Sequence, residues 1–121
     1  MGLDIYISEQ KITGKECLIH WHKLMPIVQW LEQEVYNGTI DCKEHRIEPI
    51  LLQQLRNNCE SILNAENWKQ EMQKHLFQVS SNFTWTGIRE LTYLQMMKTI
   101  ADDIDAVAPL VGKELFVQIT Y

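Results

Sequence analysis

Apolar residues follow two different rhythms along this chain, and where each falls limits what the chain can fold into. Leu3, Ile5 and Ile7 alternate with Asp4, Tyr6 and Ser8, the period of two that turns one side of a strand inward. Leu115, Val117 and Ile119 repeat that alternation at the other end of the sequence. Between them the period lengthens to that of a helix. From Trp21 onward, Leu24, Ile27, Val28, Leu31 and Val35 share one helical face, and Asn37-Gly38 supplies a stop. Pro26 inside this stripe leaves two alternatives, a helix that starts there or one that is kinked.

Glu48-Pro49 opens a second helix whose stripe, Leu51, Leu52, Leu55, Cys59 and Ile62, runs to about Asn64. A third, shorter helix is predicted from Ala65 to about Leu76 through Trp68 and Met72. Leu91, Leu94, Met97, Ile100, Ala101, Ile104 and Val107 make the longest helix, closed by Pro109 and Gly112. The first strand is expected to end near Gln10, ahead of Thr13-Gly14. Residues 39–47 read as a connector with one brief strand, and residues 80–87 as a loop or edge strand. Terminal strands and intervening helices cannot bury their apolar sides separately. The expected fold is therefore α+β: a helix-dominated single domain of three to four helices packed on a small antiparallel sheet that includes the N- and C-terminal strands.

With 121 residues, 45% of them hydrophobic, the chain can bury roughly two thirds of its surface around one core without a metal or disulfide staple. Cys17, Cys42 and Cys59 are odd in number and widely spaced, which suits reduced thiols and a cytoplasmic location. No run of eighteen apolar residues and no signal-peptide pattern is present, so neither export nor membrane insertion is expected. Gly2 does not open a myristoylation motif, because Tyr6 stands where Ser or Thr is needed. A formal charge of −5 argues against generic attraction to nucleic acid or anionic membrane and leaves basic partners open.

One spacing looks chemical. Cys17-Leu18-Ile19-His20 and Cys42-Lys43-Glu44-His45 are two Cys-x-x-His pairs of the kind a tetrahedral zinc site uses, with His22 as a spare ligand. Structural zinc usually staples domains that lack a core, so the favoured reading makes these packing or solvent-facing residues and assigns no metal. A Cys-His nucleophilic pair drawn from the three cysteines lacks any local motif that would activate a thiolate. Gly-rich phosphate loops and the common hydrolase signatures are missing from the sequence, so neither a catalytic residue nor a cofactor is assigned.

Two features remain as candidates for partner binding. Phe83 and Trp85 stand in a polar Ser/Asn/Thr stretch where packing alone does not need two large rings. Asp102, Asp103 and Asp105 crowd the last turns of the longest helix, with no basic residue from Thr99 to Gly112. Carboxylates there oppose the helix dipole at roughly 0.3–1 kcal/mol each and gain nothing from their own helix. An ordinary solvated face flanking the apolar stripe is one reading, and a surface that meets a basic partner is the other.

The chain also resembles a family of small, uncharacterised bacteriophage and prophage proteins that begin Met-Gly-Leu-Asp. The likeness rests on Met1-Gly2-Leu3-Asp4, on Trp21 and Lys23 ahead of Trp30-Leu31, on Asn37-Gly38 and Asp41-Cys42, and on residues 81–87. It departs from the family pattern at His22, where a basic residue is usual, and at Ile119-Thr120, where a serine pair is usual. The resemblance implies phage-type provenance. With the acidity and the lack of a catalytic set, it suggests stoichiometric binding to a host protein with a basic surface, such as inhibition of a bacterial defence or regulatory complex. Two other readings stay open: a small-molecule or nucleotide-binding domain with Trp85, Phe83 and Tyr6 around the ligand, and a metal-dependent enzyme.

Overall fold

The computed structural model describes residues 3–75 and 90–120. In chain order the described elements are β1 (Asp4–Lys11), β2 (Gly14–His22), a short 3-10 turn (Met25–Ile27), α1 (Val28–Glu34), β3 (His45–Ile47), α2 (Pro49–Asn64), α3 (Trp68–Lys74), α4 (Glu90–Ala106) and β4 (Leu115–Thr120). The strands form one sheet in the order β2-β1-β4-β3, antiparallel throughout. The two terminal strands pair directly, with Ile5 opposite Ile119 and Ile7 opposite Val117. This is the α+β arrangement that the alternating ends of the sequence predict.

Sheet side chains sort by parity. Ile5, Ile7, Ile19, Trp21, Ile47, Leu115, Val117 and Ile119 are buried and join one hydrophobic cluster with the helices. From α2 that cluster takes Leu52, Leu55, Cys59 and Ile62; from α4 it takes Tyr93, Met97, Ile100, Ala101 and Ile104. Their three-and-four spacing is the stripe an amphipathic helix offers to a core. Trp68 of α3 stacks on Tyr93 with ring centroids 4.7 Å apart, which ties α3 to α4. The opposite side of the sheet carries Asp4, Tyr6, Ser8, His20, His22, Phe116, Gln118 and Thr120, all half-buried or exposed.

One expected element is corrected. The helix predicted from Trp21 starts only at Val28, and residues 14–22 form β2 instead. Trp21 faces inward from a strand, opposite Ile5. Pro26 neither starts nor kinks the helix, because it lies in the 3-10 turn ahead of it. The cause is local: the first four residues of β2 are exposed, so no alternation announces the strand until Ile19 and Trp21. What makes β2 a strand is its pairing with β1 through a hairpin that resumes at Gly14, whose φ of +126° is open to glycine and strained for other residues. Asn37 and Gly38 do close α1, both with positive φ, and the Gly38 N–H donates to the Glu32 carbonyl at 2.9 Å.

Candidate functional site

The acidic end of α4 meets the sheet at its β2 edge. Trp21, 2% exposed, sends its indole Nε1–H to Asp103 Oδ2 at 2.9 Å, the one polar tether from the inner side of β2 to this helix among the described residues. Asp105 receives Arg56 of α2 in a two-pronged contact, Nε at 3.0 Å and Nη2 at 3.2 Å, and Arg56 also pairs with Glu60 on its own helix. Asp102 accepts from Lys98, one turn earlier on α4, at 2.9 Å. The expectation that these carboxylates gain nothing from their own helix is therefore corrected for Asp102. All three have partners within the chain, and two of those partners were invisible locally because they lie 82 and 49 residues away.

Beside this helix end lies a cleft of about 250 Å³, lined by Leu18, Ile19 and His20 of β2 and by Asp103, Ala106 and Val107. Since β2 is an edge strand among the described residues, the cleft runs between that edge and a helix terminus. Its lining is mixed, with His20 and Asp103 supplying polar atoms beside the apolar Leu18, Ile19, Ala106 and Val107. The volume is below the range of roughly 300–1,000 Å³ that encloses a drug-sized ligand.

On the outer side of the same two strands, Asp4 of β1 faces His22 directly, and Tyr6 faces His20. Asp4 Oδ1 is 2.7 Å from His20 Nε2 and 2.9 Å from His22 Nδ1. Both imidazoles crowd one oxygen, so each ring donates its N–H to the carboxylate there. The His22 hydrogen bond, followed by that of His20, holds the Asp4 carboxyl below its ordinary value. Tyr6 stacks nearly parallel on His20, 4.5 Å between centroids at 11°. A second His-carboxylate pair, His45 with Asp41 at 2.9 Å, sits at the other end of the sheet order beside β3.

The two Cys-x-x-His pairs do not converge. Cys17 and His20 belong to β2, whereas His45 belongs to β3 at the far edge of the sheet. Among the described residues, the group of three His, Cys, Asp or Glu side chains within metal-ligand reach is Asp4, His20 and His22. Two of its members were legible as spare or paired histidines, and their i, i+2 spacing places both on one side of a strand once residues 14–22 are known to form one. Asp4 carries no sequence signal of its own. Cys17 and Cys42 are exposed thiols, while Cys59 is buried in the core and burial pushes its thiol up to about 12, so it is no nucleophile at neutral pH. Phe83 and Trp85 lie outside the described residues, and so does any pocket they would share with Tyr6. Among the described residues, no helix is long and apolar enough to cross a membrane. Comparison with protein-family profiles, curated proteins and solved structures finds no match.

Proposed function

We propose that this protein works by stoichiometric binding to another protein with a basic surface, and that the cleft between β2 and the end of α4 receives a side chain of that partner. The observation that carries the reading is the lining of the cleft: Leu18, Ala106 and Val107 supply apolar contact, and Asp103 supplies an acceptor beside them. Asp102 and Asp105 belong to the same helix end but not to the cleft lining, with side chains 60% and 53% exposed, so their fields extend into solvent even though each has a partner in the chain. Such rim charges raise encounter rates more than they raise affinity. The overall charge of −5 acts in the same direction.

The phage-type resemblance makes a bacterial host protein the first place to look, and inhibition of a defence or regulatory complex the matching activity. The test is affinity capture from bacterial lysate with the wild-type chain and with Ala106→Arg, followed by reconstitution of any pair from purified components. Ala106 is exposed, so the variant fills the cleft and offsets its charge without disturbing the core. One dominant protein captured by wild type and lost with the variant, whose purified complex weakens as salt rises through about 0.1 M, supports the reading. Equal capture by both chains, or none by either, overturns it.

A further inference from the structure

The second cluster, on the outer side of β1 and β2, shares only His20 with the cleft lining, and its convergence on the Asp4 carboxylate calls for its own explanation. Its donors are two imidazole nitrogens and one carboxylate oxygen, a set that suits borderline divalent ions such as zinc, cobalt, nickel or iron better than calcium or magnesium. We propose that Asp4, His20 and His22 form a three-ligand site for one divalent first-row transition-metal ion.

The backbone supplies the preorganisation. His20 and His22 are separated by one residue on a strand, so both project to the same side; Asp4 is opposite His22 in an unbroken stretch of the β1–β2 ladder. The irregularity in that ladder falls between Ile7 and Ser8, away from the cluster. Tyr6 lies flat against His20 and fixes the plane of the ring, as outer groups around metal-ligating histidines commonly do. The three ligand atoms already lie within 4.8 Å of one another. Metal–nitrogen and metal–oxygen bonds of about 2.0–2.2 Å at tetrahedral angles need donor atoms about 3.3 Å apart. The two contacts to Asp4 Oδ1, at 2.7 and 2.9 Å, must therefore open by about half an ångström, a side-chain torsion rather than a backbone movement.

Proton accounting is simple. With no metal, His20 Nε2–H and His22 Nδ1–H donate to Asp4. On binding, those two nitrogens give up their protons and offer lone pairs. In a neutral ring the proton moves through water to the other ring nitrogen, and in a charged ring it leaves to solvent. The imidazoles have side chains 48% and 58% exposed, so water can complete the coordination shell, and the site is an open one of the kind that binds a further ligand. No core residue takes part, so the fold does not depend on the ion.

The experiment is titration of the untagged full chain, with Cys17→Ser and Cys42→Ser introduced to silence the exposed thiols, by zinc(II) in calorimetry and by cobalt(II) in visible absorption at neutral pH. The expected result is one equivalent bound. His20→Ala and His22→Ala should each weaken it at least tenfold, and Asp4→Asn should weaken it measurably. His45→Ala, which removes the His45–Asp41 pair elsewhere on the sheet, should leave it unchanged. Imidazole nitrogen resonances of two histidines should shift on zinc binding. Absence of saturable binding below millimolar metal, or binding that survives His20→Ala with His22→Ala, overturns the proposal. Ala106→Arg removes none of the three ligands and should bind metal as wild type does, while His22→Ala removes a ligand that does not line the cleft, so these two variants separate failure of the metal site from failure of the cleft reading.

Discussion

Asp103→Ala is the substitution on which the account of the acidic helix end stands or falls. Viewed along the helix alone, removing this carboxylate should help, because it relieves about 0.3–1 kcal/mol of opposition to the dipole and replaces Asp by the best helix former. The tertiary contact reverses the sign. Trp21 is 2% exposed, and the variant leaves its indole N–H without the acceptor now at 2.9 Å. A lost hydrogen bond to a charged group, or a buried donor left unpaired, costs about 1–3 kcal/mol. The net expectation is destabilisation by about 1–2 kcal/mol, or roughly 3–8 °C in Tm for a chain of this length. Asp103→Asn keeps an acceptor oxygen and should stay within about 1 kcal/mol of wild type. Urea denaturation followed by tryptophan fluorescence gives these values directly. A double-mutant cycle with Trp21→Phe isolates the contact: in the Phe background Asp103→Ala should be neutral or slightly stabilising. The same loss in both backgrounds would refute the reasoning, because the carboxylate would then act through something other than the indole.

Two further expectations follow from the sheet. Deleting residues 115–121 removes β4 from between β1 and β3 and takes away Leu115, Val117 and Ile119, each worth about 1.5–3 kcal/mol of burial. That total is comparable to the whole stability of a typical domain, so the shortened chain should lose its cooperative melt in calorimetry; a sharp transition would show that β4 is dispensable. At Asp41, the Lys43 backbone N–H and then His45 hold the carboxyl below its ordinary 3.8. Its contribution to stability is thus present above about pH 3.8 and fades as pH falls through the lower folded value; a carboxyl-carbon NMR titration of Asp41 with a midpoint at or above 3.8 would contradict this.

Most of the fold was legible in local pattern. Alternation at both ends, the Pro49 start of α2, the brief β3 and the long stripe of α4 each depend on residues within a few positions of one another. A strand or helix must turn an apolar side inward to survive, so its period is written into neighbouring residues. Cys59 and Trp68 declared themselves as core by the same logic. β2 escaped because half of it is exposed and its identity depends on β1, and a stripe of helical spacing overran its end at Trp21.

The candidate sites divide along the same line. Local reading found the carboxylates Asp102, Asp103 and Asp105 as an anomaly, and it found His20 and His22 as unassigned histidines. It had no means of knowing that Asp103 anchors Trp21, that Asp105 takes Arg56, or that Asp4 gathers both imidazoles, because these contacts span between 16 and 82 residues of chain. Periodicity encodes which side of an element faces the core, since burial acts on every residue of that element alike. Which polar group on one element meets which on another depends on strand order, register and helix placement, and those emerge only when the whole chain closes around its core.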